Sequence, residues 1–289
     1  MKLKIIVLSL MAIFHLGLSK AQEYSSYFTE GMNAAAEGRY SEALSLYEKG
    51  AIGGDKYCCG RAAACYLYGL GCNTDIFLAR KWAQKGYELG NSYSAVTLGY
   101  TYLYEYGIDS EIGTIKAAPY LIYAYNADDS EKDNAELYAN IGATIVVAKI
   151  YNGEEDEAKK WMERVVTDYP TYTPTLGSLS YLCWGFGDYE KAVKYATEAD
   201  KDNNLQASFV LGWCMLHGKG IIQNEEAGFK KIQKVALIGS VDYAMFALGE
   251  CYYNGKGTSV DKEQAKEWFQ KAADAGNEEA LEKLNLLFK

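Results

Sequence analysis

The residues that could carry chemistry in this chain are few, and their spacing argues against most reactions. It has two histidines, His15 and His217, and the first lies in an apolar leader. The working protein therefore keeps one imidazole, which excludes a site built on two or more histidines and a His-rich metal centre. No serine or cysteine carries a recognisable nucleophile signature. Gly218-Lys219-Gly220 and Gly255-Lys256-Gly257-Thr258 glance at phosphate loops, but they lack the four-residue spacer and the preceding strand that such loops need. Turns between helices account for them. Asp200-x-Asp202-x-Asn204 opens like a calcium loop, yet Leu205 and Leu211 stand where the turn glycine and the bidentate glutamate belong. The carboxylate run Glu154-Glu155-Asp156-Glu157 suits a helix start, where the dipole favours negative charge. These residues predict no catalytic centre, no metal and no cofactor.

Seven cysteines in an exported chain raise the question of disulfides, and an odd number leaves at least one thiol unpaired. Cys214 and Cys251 are 37 residues apart and Cys65 lies 186 before Cys251. Both spacings recur for other residues, so these three read as one small apolar helix position packed between helices. Cys58, Cys59 and Cys72 are the better candidates for a bridge.

Export itself is read from the first residues. Lys2 and Lys4 precede the apolar run Ile5 to Leu18, and Ser19-Lys20-Ala21 supplies a small-x-small cleavage pattern. Residues 1–21 are thus expected to be a secretory signal peptide, the run being short for a membrane span. The mature chain, 22–289, should be periplasmic or secreted, of bacterial type, and not inserted in a membrane. Its removal takes the formal charge of the 289-residue chain from −9 to −12, with 26 basic residues against 38 acidic. An acidic body argues against a nucleic-acid clamp and against binding anionic lipid. With 49% apolar residues, 26 tyrosines and three prolines, the chain should be folded and mostly helical.

An internal repeat sets the architecture. Gly218-x-Gly220 and Gly255-x-Gly257 are offset by 37, as are Leu211-Gly212 and Leu248-Gly249, and Gly239 and Gly276. Gly69-x-Gly71 is followed nineteen residues later by Gly90, the interval that also separates Gly220 from Gly239 and Gly257 from Gly276. Trp82 and Trp268 are offset by 186, as are Asp75 and Asp261. In the last unit Asp261 is placed to cap a helix, with Gln264 three residues on. Ala265, Trp268, Phe269, Ala272 and Ala273 then form one amphipathic stripe, and Ala244, Ala247, Leu248, Cys251 and Tyr252 form another upstream. Neither helix buries its stripe alone, so stacked pairs must supply the core. Tyr100, Tyr102, Tyr104 and Tyr106 alternate as in a strand, but repeat register predicts helix there.

The pattern Ala244-x-x-x-Leu248-Gly249-x-x-Tyr252-x-x-Gly255-x-Gly257, with Asp261, Ala265, Trp268-Phe269, Ala272-Ala273 and Gly276-Asn277, resembles the Sel1-like repeat of the tetratricopeptide superfamily. The resemblance is good over 56–91, 205–240 and 241–277. It is looser over 92–130, where Gly107 stands alone in the loop and Pro119 falls early in the second helix. Glu37-Gly38-Arg39-Tyr40-Ser41-Glu42-Ala43 and Phe186-Gly187-Asp188-Tyr189-Glu190-Lys191-Ala192 are more similar to plain tetratricopeptide turns. The resemblance implies an all-α, right-handed α-solenoid of about seven stacked antiparallel helix pairs. The pairs fall at 24–55, 56–91, 92–130, 131–170, 171–204, 205–240 and 241–277, with a C-terminal capping helix at 278–289.

It also implies a concave surface, lined by the first helix of each pair, that holds a segment of another protein. Register points Tyr100, Tyr104, Trp213, His217 and Tyr253 into it and, by similarity, Tyr68, Tyr181 and Trp184. Tyrosine and tryptophan offer large contact area with a polar edge at little entropic cost, and the acidic balance favours a neutral or basic partner surface. The expected role is a noncatalytic scaffold binding protein or peptide, with carbohydrate or glycopeptide capture as the alternative. A cell-wall hydrolase is the remotest reading: cysteine-rich relatives associated with such chemistry tie each repeat with a cysteine pair, and this chain has single equivalent cysteines.

Overall fold

The computed structural model describes residues 24–107, 110–127, 134–238 and 241–288. The leader and the turn glycine Gly239 lie outside the described residues. Fifteen helices and no strand occur among the described residues, as the repeat register predicts. They fall into two compact units divided between Tyr169 and Pro170.

The first unit holds α1 (Ser26–Ala36), α2 (Tyr40–Ile52), α3 (Lys56–Tyr68), α4 (Ile76–Glu88), α5 (Ser92–Tyr106), α6 (Glu111–Asn126), α7 (Ala135–Tyr151) and α8 (Glu155–Asp168). The second holds α9 (Thr173–Gly185), α10 (Tyr189–Asp200), α11 (Leu205–His217), α12 (Glu225–Leu237), α13 (Asp242–Asn254), α14 (Lys262–Asp274) and α15 (Glu278–Leu287). Within each unit every helix packs on the next, and first helices also meet: α1 with α3, α3 with α5, α9 with α11. This is the packing of stacked hairpins, each closing its neighbour's core. The tyrosine alternation of 100–106 is indeed helical, in α5, and α6 runs through Pro119.

Eleven of the fifteen helices begin at a Ser, Asp or Asn whose side chain accepts an amide of the first turn. Asp261 accepts from the Gln264 amide at 3.0 Å. Each such cap satisfies a donor that the helix geometry leaves open, at about 1 kcal/mol. The predicted stripe of α14 is buried at Ala265, Trp268, Phe269 and Ala272, and that of α13 at Ala244, Leu248 and Cys251. The Leu-Gly pairs have a packing reason: a side chain at Gly249 would lie 2.7 Å from the Phe269 ring, and one at Gly99 2.8 Å from Leu121. Glycine there lets the two helices of a pair approach closely.

Two kinds of loop close the hairpins. Short turns follow α1, α7 and α9, with Gly38, Gly153 and Gly187 in the left-handed region and open space around them. The longer Gly-x-Gly loops follow α3, α11 and α13 and are near copies. Their first glycine caps the helix in the left-handed conformation, its amide donating to Cys65, Cys214 or Cys251. The cap of the next helix then returns to the first, Asp75 donating to Tyr66, Asn224 to Met215 and Asp261 to Tyr252, all at 2.9 Å.

The second glycine of these loops touches the preceding repeat. A side chain at Gly71 would meet the Ser41 amide at 2.4 Å, one at Gly220 the Tyr189 carbonyl at 2.4 Å, and one at Gly257 the Glu225 carbonyl at 2.2 Å. Each contact is with the first turn of the second helix one repeat back, and Ser41 Oγ also donates to the Gly71 carbonyl at 3.0 Å. Gly107, alone in its loop, makes no such approach. The spacing of Gly-x-Gly therefore encodes a backbone clasp between repeats. Gly257→Ala should cost about 2–4 kcal/mol, combining left-handed strain with overpacking, while Gly187→Ala should cost only about 1 kcal/mol. Urea unfolding of the two variants checks this; equal losses would contradict the clasp.

Candidate functional site

The aromatic residues of the first helices form a different cluster in each unit. In the second unit, Tyr181 and Trp184 of α9, Phe209 and Trp213 of α11 and Tyr243 of α13 make one contiguous surface. Ring centroids lie 5.3 Å apart for Tyr181–Trp184, 5.5 Å for Trp184–Phe209 and 5.3 Å for Trp184–Trp213. Tyr243 closes the group at 4.6 Å from Phe209 and 5.1 Å from Tyr181. Phe209 is buried beneath, while the other four rings are half-buried. Burial, with the Asp242 carboxylate nearby, pushes the phenols of Tyr181 and Tyr243 upward, so both stay protonated as donors.

At the edge of the cluster, the exposed His217 ring stacks on Trp213 at 4.1 Å. Its Nδ1 lies 2.8 Å from the Trp213 carbonyl. A carbonyl only accepts, so Nδ1 carries the proton and faces inward. Tyr189, the first residue of α10, stacks on Trp213 at 5.7 Å. Trp184 Nε1 is buried with no hydrogen-bond partner among the described residues.

In the first unit the rings surround a cation. Arg61 of α3, 5% exposed, lies over Tyr93 of α5 at 4.4 Å and Phe28 of α1 at 5.9 Å. Tyr68 and Tyr104 meet edge-on at 6.2 Å, half-buried at the ends of α3 and α5. Burial raises both phenols, Tyr68 well above its ordinary value.

The eight residues singled out from sequence thus divide. Tyr181, Trp184, Trp213 and His217 come together, and Tyr68 and Tyr104 form a separate pair. Tyr100 is buried in α5, 5% exposed, and offers little surface. Tyr253 is not with the others. It aligns at the 37-residue offset with buried Leu216, turns to Lys262, whose Nζ lies 3.0 Å from its ring centroid, and to Phe288 at 6.1 Å. Sequence reasoning misses Phe209, Tyr189 and Tyr243. Phe209 aligns with Phe246 at that offset and could have been found; Tyr243 aligns there with Gln206, and only the 186-residue offset pairs it with an aromatic, Tyr57.

The other candidate groups are occupied structurally. Asp200, Asp202 and Asn204 do not converge: Asp202 accepts from Thr173 at 2.8 Å and Asn204 caps α11 through the Ala207 amide. Asp200 ties three helices, accepting from Ser208 of α11 and from Lys231 of α12 at 2.6 Å. Glu154 pairs with Lys149 at 2.7 Å. No group of three or more His, Cys, Asp or Glu that could hold a metal ion occurs among the described residues. All seven cysteines are thiols, so the bridge candidates Cys58, Cys59 and Cys72 are unbridged; six thiols are buried and Cys72 is part-exposed. Burial pushes Cys65 and Cys251 up to about 12 and Cys214 to about 11, far from a nucleophile's range.

Paired helices and clasped loops define a stacked-hairpin repeat fold. The Sel1 repeat model matches residues 57–91, 92–129, 178–199, 205–230 and 242–277, more than half of the chain. The chain belongs to the Sel1-repeat family. The match at 178–199 falls in a segment whose turn looks like a plain tetratricopeptide unit from sequence. Among solved structures, the chain is similar to a protective antigen of uropathogenic Escherichia coli displaying an SLR fold, at 24% identity and TM-score 0.64. That likeness covers 90% of this chain and 56% of the antigen, so the chain spans little more than half of that protein. It is also similar to a Sel1 repeat protein from Oxalobacter formigenes, at 18% identity and TM-score 0.61, covering 86% of this chain and 97% of that one. No curated protein matches. Among the described residues no helix is long and apolar enough to cross a membrane.

Two outcomes test these assignments. In the native protein at pH 8, a thiol-reactive chromogenic disulfide should label Cys72 first, with the other six cysteines released only on unfolding; several fast thiols would contradict their burial. For Asp200, burial opposes ionisation, but the hydrogen bonds from Lys231 and Ser208 outweigh it and hold the pKa below the ordinary carboxylate value. Its contribution is fully present above about pH 4 and fades as pH falls through the lowered value. Asp200→Asn should therefore be less stable than wild type at pH 7, the gap closing towards pH 2 in thermal melts.

Proposed function

We propose that the chain is an exported, noncatalytic scaffold that holds a segment of another protein on its first-helix aromatic face. The observation that carries the reading is the surface shared by α9, α11 and α13. Tyr181, Trp184, Trp213 and Tyr243 are side by side, half-buried and available at their outer faces, with His217 continuing the row. Rigid aromatic anchors of this kind dominate the energetics of protein recognition. Export is supported by the basic, apolar and small-residue segments of 1–21, and the acidic body disfavours nucleic acid.

The test is binding of wild type and Trp213→Ala to arrays of unstructured peptides and of glycans, with helicity checked by circular dichroism. Peptides should bind, and removing the central ring should weaken them by about 2 kcal/mol, roughly thirtyfold. Glycan binding in their place would favour carbohydrate capture, and undiminished peptide binding by Trp213→Ala would move the site off this face.

A further inference from the structure

The two aromatic clusters differ in their cations. In the first unit the face of α1, α3 and α5 is filled from within: the Arg61 guanidinium lies over Tyr93 and Phe28. Elsewhere, too, the chain's own cations cover ring faces, as Arg80 over Tyr102 at 4.4 Å, Arg164 over Tyr125 at 4.8 Å and Lys271 over Trp268 at 4.1 Å. Among the described residues, no lysine or arginine lies over Tyr181, Trp184, Phe209, Trp213 or Tyr243. Register shows why. Cys214 aligns with Cys65, so the residue aligned with Arg61 is Val210, fully buried in α11. The second unit has the rings without the cation.

The charges around that cluster are asymmetric. Asp242, in the first turn of α13, directly precedes Tyr243, whose ring lies 5.1 Å from that of Tyr181; its Oδ2 accepts a hydrogen bond from Asn277 at 3.0 Å. A basic side chain, Lys219, lies 5.7 Å from the Tyr189 ring at the opposite end, beyond Trp213. Of these two charges, the carboxylate stands at the Tyr243 end and the ammonium at the Tyr189 end.

We propose that the Tyr181–Trp184–Tyr243 end of the cluster is the seat for an arginine of an extended, basic partner segment, its guanidinium taking over these rings the place that Arg61 holds over Tyr93. Ring quadrupoles attract the cation, and the delocalised guanidinium stacks on them with less desolvation cost than an ammonium. Asp242 supplies the charge complement and fixes the end at which the arginine enters. The inference rests on the peptide-binding reading above and adds the chemistry of its partner.

The probe is an array of unstructured twelve-residue peptides, each with one central arginine, alongside twins in which citrulline replaces it, keeping the shape and removing the charge. Arginine peptides should bind wild type about tenfold more tightly than their citrulline twins. Tyr181→Leu and Asp242→Asn should each reduce that ratio severalfold; Asp242→Asn, at a part-exposed position, remains informative if Tyr181→Leu fails to fold. Equal binding of the twins, still lost in Trp213→Ala, overturns the arginine seat and leaves the peptide-binding face standing. Absence of any binding sensitive to Trp213→Ala overturns both.

Discussion

The contact on which the structure depends is backbone on backbone: the second glycine of each Gly-x-Gly loop lies against the first turn of a helix one repeat earlier. At Gly71, Gly220 and Gly257 a single added carbon would come within 2.4 Å of main-chain atoms, and main chain in a helix start has no flexible end to yield. The dihedrals at these positions are also left-handed, so glycine is required on two independent grounds. Since the contact holds neighbouring hairpins at one spacing, side chains at equivalent positions of successive first helices are brought to equivalent places. The proposed recognition surface is a consequence of that regularity.

The proposed function then lies in what the regular positions carry. The first unit puts a buried arginine among its rings and fills the face from within; the second puts Val210 in that register and clusters Trp184, Phe209, Trp213 and Tyr243. One fold supports both, because the clasp and the Leu-Gly close approach constrain backbone and leave the outward residues free to vary. The cysteines show the same division. Cys65, Cys214 and Cys251 are fixed by packing at the last turn of a first helix, where their carbonyls receive the loop glycine, and burial silences their thiols.

Much of this was legible in the sequence because repeats turn long-range contacts into fixed offsets. The pairing of helices, the caps at Asp75 and Asp261, the left-handed loop glycines and the helical state of 100–106 all follow from offsets of 19, 37 and 186 residues. The site was legible only in part. Offsets align positions along the chain but do not say which side of a helix a one-residue shift exposes, and so Tyr253, aligned with buried Leu216, falls away from the surface that its neighbour positions suggest. Tyr243 joins the cluster from the first turn of α13, a position shared at the 186-residue offset by Tyr57 of α3 but held by Gln206 in the adjacent repeat. Arg61 stands in the otherwise apolar run Cys58–Leu67. A charged residue is ordinarily exposed, and only the stacking of α1, α3 and α5 shows it enclosed by rings.

The clasp is tested most directly by hydrogen exchange of the native protein and its Gly220→Ala variant, read by mass spectrometry over the second unit. The account predicts that amides of the 218–224 loop and of the first turn of α10, some thirty residues earlier in the chain, lose protection together. Faster exchange confined to the loop, with α10 unchanged, would contradict it.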